Sequence, residues 1–260
     1  FQPFLARQGF VMLDGGLATE METHGADLDH DLWSAKMLIE APEIIRRVHT
    51  DFLRSGADVI ATATYQASFG GFEKAGYTHH QAKRLMRLSV DLALLARETF
   101  WAQSENRIGR LRPLVAASIG PYGASLHDGS EYHGNYGLDR QALIDFHRPR
   151  MELLAETEAD LFAFETIPSM LEAEALLELL QEFPQKQAWL SFSCKDTENV
   201  CHGEPLAACA MLAEKVDQVV AVGLNCTDPG YVIGLLESLP ELNKPLVVYP
   251  NSGEKWNSDG

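Results

Sequence analysis

The chain has 260 residues, enough for one large core, and 46% hydrophobic with 22% charged residues describes an ordinary globular protein. Its 37 acidic residues against 21 basic ones leave a formal charge of -16, which argues against sequence-independent binding to nucleic acid or acidic lipid. Four irregularly spaced cysteines argue against a disulfide framework and for a reducing, cytoplasmic compartment, and no apolar run approaches the roughly 20 residues that span a bilayer.

Phe10-Val11-Met12-Leu13 reads as a first strand that delivers Asp14 into the loop Gly15-Gly16. A mixed loop and helix through Leu32-Trp33-Ser34-Ala35-Lys36 follows. Pro42 then starts a helix whose apolar positions 44, 45, 48, 52 and 53 mark a core face and which Gly56 ends. The rhythm repeats with strands predicted over 58–64, 114–120, 160–166, 188–193, 219–226 and 244–249. Helices are predicted over 78–101, 139–157, 169–182, 206–214 and 231–239. The polar stretch 128–137 is long for so regular a chain and reads as a lid or binding loop. Alternating strands and helices predict repeated βαβ units, an α/β chain of the (β/α)8 TIM-barrel class forming one domain over 1–260. Seven units are legible where a closed barrel has eight, so the eighth is expected beyond Gly260.

In such a fold the carboxyl ends of the strands meet at one mouth. The polar residues predicted there are Asp14, Thr62, Thr64, Ser118, Glu165, Ser193 with Cys194, Asn225 with Cys226, and Tyr249 with Asn251. Asp14 before two glycines is a turn former or a ligand in equal measure. Glu165, closing Leu161-Phe162-Ala163-Phe164, needs a partner or water and reads as a site residue. Cys226 alone reads more readily as a small buried hydrophobe than as a ligand or nucleophile, and Cys201 and Cys209 as packing. No dinucleotide-binding glycine motif, phosphate loop, nucleophile elbow or zinc-type Cys-x-x-Cys or His-Glu-x-x-His pattern is present. His79-His80 reads as surface; His147 and His202 could reach the mouth but lack a signature.

The segments Asp14-Gly15-Gly16-Leu17-Ala18-Thr19-Glu20, Ala117-Ser118-Ile119-Gly120-Pro121-Tyr122-Gly123-Ala124, Asp128-Gly129-Ser130-Glu131-Tyr132, Phe164-Glu165-Thr166, Gly223-Leu224-Asn225-Cys226 and Val248-Tyr249-Pro250-Asn251-Ser252-Gly253-Glu254 together resemble the zinc-dependent homocysteine S-methyltransferases, in the branch that uses S-methylmethionine. The resemblance spans essentially the whole chain. It implies a barrel with Zn2+ held at its mouth by three thiolates, of which Cys226 would be one. The other two would form a Cys-Cys pair ending the eighth strand, expected beyond Gly260. It implies that Asp14 and Glu165 hold the homocysteine ammonium, that the amides near Gly15 and Gly16 hold its carboxylate, that Thr62 lies close by, and that Asn225 orients the metal-bearing strand. Tyr65, Tyr122 and Tyr132 are possible aromatic contacts for a sulfonium donor.

The chemistry fits that residue set. A sulfonium methyl is already activated, so the scarce component is the thiolate of homocysteine, which a metal with an open position would supply; no acid–base pair is required. The expected reaction is methyl transfer from S-methylmethionine, or S-adenosylmethionine, to homocysteine, by a monomer or small homo-oligomer without nucleic-acid or membrane partners. The alternatives are a zinc-free amino-acid-binding or regulatory relative, and an unrelated barrel lyase or aldolase. The latter needs a strand-end Schiff-base lysine; Lys195 sits in a polar loop instead.

Overall fold

The computed structural model describes residues 1–26 and 34–253, with backbone only for 34–36. Its helices are α1 (Gln2–Gln8), α2 (Leu17–Thr23), α3 (Ser34–Glu40), α4 (Pro42–Ser55), α5 (Phe69–Lys74), α6 (His79–Ala102), α7 (Arg140–Ala155), α8 (Met170–Leu180), α9 (Leu206–Glu214) and α10 (Val232–Ser238). Its strands are β1 (Val59–Ala61), β2 (Leu114–Ile119), β3 (Leu161–Ile167), β4 (Ala188–Phe192), β5 (Val219–Asn225) and β6 (Leu246–Tyr249). The strands are hydrogen-bonded in chain order from β1 to β6. This is an α/β fold with an incomplete parallel sheet of the (β/α)8 kind, as the alternation of elements predicts. Leu32 and Trp33 of the predicted mixed segment, and Glu254 of the last motif, lie outside the described residues.

The chain divides into two compact units: Phe1–Ile119 with Arg148–Ala163, and Gly120–His147 with Phe164–Gly260. In the first, α4 begins with Pro42, whose missing N–H costs nothing in a first turn. It ends at Gly56, whose φ of 112° only glycine adopts cheaply and whose N–H reaches back to Leu53 and Phe52. α6 starts with a reciprocal Thr78–Gln81 capping box. Leu53, Ile60, Ala93, Ala96, Phe100 and Val115 close a core between α4, α6 and the strands. β1 and β2 pair in parallel from Val59↔Leu114 to Ala61↔Ala116. Asp160 ties the entrance of the sheet, accepting from the Val115 N–H at 2.7 Å and from the buried Arg97 at 2.5 Å.

One predicted strand differs. Phe10-Val11-Met12-Leu13 contributes an isolated bridge, Leu13↔Val59, supported by the Met12 carbonyl accepting from the Asp58 and Val59 N–H groups. Phe10 and Met12 remain 54% and 50% exposed, so the segment lacks the burial that would extend the ladder.

In the second unit β4, β5 and β6 run parallel with the registers Phe192↔Leu224 and Leu224↔Val248. Gly223 is the residue that lets β5 and β6 approach, because a Cβ there would lie 1.9 Å from the Val247 carbonyl oxygen. Ser169 caps α8 through the Glu172 N–H. Below the strands, the Gln218 amide donates to the carbonyls of Leu180, Phe183 and Lys186, and Lys244 Nζ to those of Val216 and Val219. The amino ends of the sheet are thereby sealed, and reactive groups are left to the carboxyl ends.

Candidate active site

The carboxyl ends of β3 to β6 carry a connected set of polar side chains. Asn225, at the end of β5, uses every hydrogen-bonding position of its amide. Its Oδ1 accepts from the Thr166 N–H at 2.7 Å and lies 2.8 Å from Ser191 Oγ; its Nδ2 donates to Thr166 Oγ1 at 2.8 Å and to Cys226 Sγ at 3.3 Å. Thr166 Oγ1 also donates to Cys226 Sγ, at 3.6 Å. Two donors therefore point at one sulfur. From the other side, the Tyr249 hydroxyl donates to Glu165 Oε2 at 3.0 Å, accepts from Trp189 Nε1 at 3.0 Å and lies 2.8 Å from Ser191 Oγ. Glu165 and Cys226 are thus the two ends of one chain of contacts running through Tyr249, Ser191 and Asn225.

The backbone is unusual at both strand ends that meet the sulfur. Thr166 and Cys226 have φ of 61° and 46°, left-handed conformations that side chains with a Cβ rarely adopt, and each is held there by the Asn225 amide or by sheet contacts. Burial pushes the Cys226 thiol up to about 11; the Thr166 and Asn225 hydrogen bonds act the other way, and the charges of Glu165 and Glu131 add to the rise. Burial, foremost, also holds the Tyr249 hydroxyl protonated well above its ordinary range. Cys194 is buried, with its backbone N–H on Thr227 Oγ1, and its thiol is pushed up to about 12 by burial. Cys209 is packed into α9.

The predicted binding loop 128–137 is ordered by its own turns. Asp128 accepts from the Ser130 N–H, and residues Ser130–Tyr132 form a short 3-10 helix. Gly123 faces it so closely that a Cβ would lie 2.4 Å from the Glu131 nitrogen. Ser193 Oγ donates to the Glu131 carbonyl at 3.4 Å. Tyr122 and Tyr136 meet edge to face with centroids 5.1 Å apart. His147 lies fully buried against Glu172 at 2.8 Å, and the same carboxylate oxygen accepts from the Tyr122 N–H at 2.6 Å. It braces this region from below. His202 pairs with Glu204 near the surface.

In the first unit, Asp14 Oδ2 accepts from the Ala61 N–H at 2.7 Å, and a Cβ on Gly15 would lie 2.9 Å from the Phe52 ring. Gly16 is the residue before α2. Thr62 is buried in a set of bonds with Thr64 and Ser118, and Tyr65 is partly buried. Among the described residues, one group of three could converge on a cation: Glu20, His24 and Asp51, with His24 Nε2 3.1 Å from Asp51 and 3.6 Å from Glu20. It contains no thiol, and the imidazole lying between two carboxylates is also the geometry of an ordinary ion pair.

The structure brings Glu165, Asn225 and Cys226 together in one network. It adds Thr166, Ser191 and Tyr249 as the groups that hold them, and it places Glu131 within electrostatic reach of the same thiol. The left-handed turn at Thr166 has no signature in the sequence, since threonine is rare there.

Fold and site define an α/β enzyme whose reactive groups lie on the carboxyl ends of parallel strands. A family profile described as homocysteine S-methyltransferase matches residues 11–260. The chain is 48% identical over 259 residues to the homocysteine S-methyltransferase YbgG of Bacillus subtilis (strain 168), covering 99% of this chain and 82% of that protein. It is 49% identical over 260 residues to a selenocysteine Se-methyltransferase of Brassica oleracea var. italica, covering 96% and 75%. The crystal structure of the homocysteine methyltransferase MmuM from Escherichia coli in its metallated form superposes with a TM-score of 0.90 at 46% identity, covering 97% of this chain and 87% of that one. The chain belongs to the homocysteine S-methyltransferase family, and it is a methyltransferase. No helix among the described residues is long and apolar enough to cross a membrane.

Proposed function

We propose that the protein transfers a methyl group from a sulfonium donor, S-methylmethionine in the first place, to the sulfur of homocysteine, giving methionine, and that it does so in the cytoplasm with zinc as its metal. The observation that carries this reading is the Cys226 thiol, set at a strand end with two hydrogen-bond donors on its sulfur and a carboxylate at the far end of the same network.

Cys226 suits a metal-bound thiolate. A sulfur that receives N–H and O–H donors is prepared for negative charge, while a thiol pushed up to about 11 by burial gains that charge only from a strong local cation. Two further thiolates, beyond Gly260, would complete the ligand set. The metal, when bound, would supply the positive charge that keeps the substrate sulfur deprotonated at neutral pH. The remaining work belongs to the chain's own groups. Glu165, fixed by the Tyr249 hydroxyl, would accept the homocysteine ammonium. Asp14 would add a second carboxylate, with the amides near Gly15 and Gly16 on the substrate carboxylate and Thr62 close by. Asn225 would hold Cys226 and Thr166 in register, so that the sulfur keeps one position as the methyl carbon approaches in line. Tyr65, Tyr122 and Tyr132 would provide aromatic faces for the donor.

The test uses the full-length protein. Stoichiometric zinc, methyl transfer from S-methylmethionine, and loss of both in Cys226→Ser are the expected results. Homocysteine binding with no metal at all would instead identify an amino-acid-binding relative without catalysis.

A further inference from the structure

Resting on the reading above, we propose that Glu131 is the anion that recognises the sulfonium charge of the methyl donor and so sets the preference of this enzyme for a cationic donor over a neutral thioether.

Among the described residues, Glu131 Oε2 is buried and has no hydrogen-bond partner. The carboxylate is steadied only by its own backbone N–H. His133, whose charge would bear on it, is exposed, and its Nδ1 is taken up by the Asn135 N–H at 3.1 Å. Burying a carboxylate oxygen without a partner costs free energy that a fold does not spend at random, and burial raises the affinity of this carboxyl for a proton. A cation arriving from outside the chain removes that cost.

The position selects the cation. The loop bearing Glu131 cannot retreat or advance freely. Gly123 presses on the Glu131 nitrogen on one side, Ser193 Oγ donates to the Glu131 carbonyl from the end of β4, and Gly134 packs against Pro168 and His202. So held, the Glu131 charge is felt at the Cys226 thiol. The neighbouring Tyr132 hydroxyl feels both Cys226 and Glu131. Tyr132 is 53% exposed. Ser193 Oγ lies 3.4 Å from both the Glu131 and the Thr166 carbonyl oxygens, and Thr166 Oγ1 donates to Cys226 Sγ, so an anion and an aromatic ring adjacent on one turn are joined through Ser193 to the residue that meets this sulfur, and together they form a place for a positively charged sulfur. The acceptor's ammonium is a poorer candidate for this carboxylate, because Glu165 is already oriented by Tyr249 at the other end of the network. During transfer the donor sulfur turns from sulfonium to thioether as its bond to the methyl carbon breaks and that carbon's bond to the acceptor sulfur forms. The attraction to Glu131 ends with the positive charge. Glu131 therefore favours binding of the donor and release of the product formed from it.

The test compares wild type with Glu131→Gln in the full-length, zinc-loaded protein. The readings are KM for S-methylmethionine, KM for homocysteine, and inhibition by methionine as the neutral-sulfur probe. The expected result is a rise of about tenfold or more in KM for S-methylmethionine, with the homocysteine KM and methionine inhibition constant within about twofold of wild type. Glu131→Asp, which keeps the charge, is expected to recover part of the loss. If Glu131→Gln does not fold, Glu131→Ala is read for the same ratio. An unchanged ratio between sulfonium and thioether affinities overturns the inference and leaves the proposed reaction standing. A wild-type protein that transfers no methyl from any sulfonium overturns the reaction, and the inference with it.

Discussion

The two units end their parallel strands with the same kinds of residue and use them in opposite ways. In the first, Thr64 Oγ1 donates to the Ser118 carbonyl at 2.7 Å, so the proton in its 2.6 Å contact with Thr62 must come from Thr62, which in turn accepts the Ser118 N–H at 3.1 Å. Each of those protons has one acceptor, and the ring is closed. In the second, the Tyr249 proton goes to Glu165, and the single Ser191 proton is left with two acceptors at 2.8 Å, Asn225 Oδ1 and the Tyr249 oxygen. That network ends on a thiol and on a carboxylate, and its proton count does not close. A saturated ring fastens strands; an unsaturated one leaves groups free to answer a ligand.

The sharpest way to break that contrast is Asn225→Ala. It strands the buried Thr166 N–H, removes a donor from the Cys226 sulfur, and frees two left-handed residues from their common partner. Methyl transfer is expected to fall by about a hundredfold or more, with slower alkylation of Cys226 in the metal-free protein, since the lost donor no longer favours the thiolate. A variant of wild-type rate would mean that the strand end holds its own geometry.

Beside this, the first unit holds a buried polar group with no such purpose. His49 lies on the core face of α4, and neither ring nitrogen has a partner among the described residues. Burial lowers its pKa from 6.5 to about 4. Between those values the unfolded chain binds a proton that the folded one refuses, so stability rises with pH across that window and falls as pH drops from 6.5 toward 4, by about 3 kcal/mol in all. Denaturant titrations at a series of pH values should show this slope in wild type and lose it in His49→Leu; equal slopes would place the protonation elsewhere.

A gentler cut through the second network is Tyr249→Phe. It leaves the ring and takes the hydroxyl from Glu165, Trp189 and Ser191. The expected effect is about a tenfold rise in the homocysteine KM with zinc content unchanged, read by steady-state kinetics and metal analysis. Loss of zinc would show that the two ends of the network cannot be separated.

How much of this could be read from the chain follows the same division. The apolar run Val219-Val220-Ala221-Val222 announces a buried parallel strand, and the polar pair Asn225-Cys226 after it announces the site, because periodicity and position suffice for both. Gly223 is visible as an interruption, but its reason, the Val247 carbonyl 1.9 Å from where a Cβ would stand, belongs to a strand more than twenty residues on. Phe10-Val11-Met12-Leu13 has the composition of a strand and becomes one bridge, since Phe10 and Met12 stay about half exposed among the described residues. His49 sits among the core positions of α4 although its residue type suggests surface. Glu131 reads as part of a polar loop, and the close approach of that loop's backbone to Gly123 is invisible in the sequence, which shows only a turn glycine.

The smallest effect is expected where the comparison is cleanest. Thr64→Val keeps the β-branched shape and removes one hydroxyl from the closed ring, so the Ser118 carbonyl and the Thr62 hydroxyl each lose a partner inside a buried site. The Thr62 hydroxyl can rotate to seek another acceptor, whereas the carbonyl is fixed by β2. The cost should therefore stay near that of one unmet buried bond, about 1 to 2 kcal/mol of unfolding free energy. Because the ring ends on no reactive group, kcat and both KM values should remain within about twofold of wild type. A change in the homocysteine KM without a loss of stability would show that the proposed closeness of Thr62 to the substrate depends on Thr64, and that the saturation of the ring is a resting state that the ligand opens.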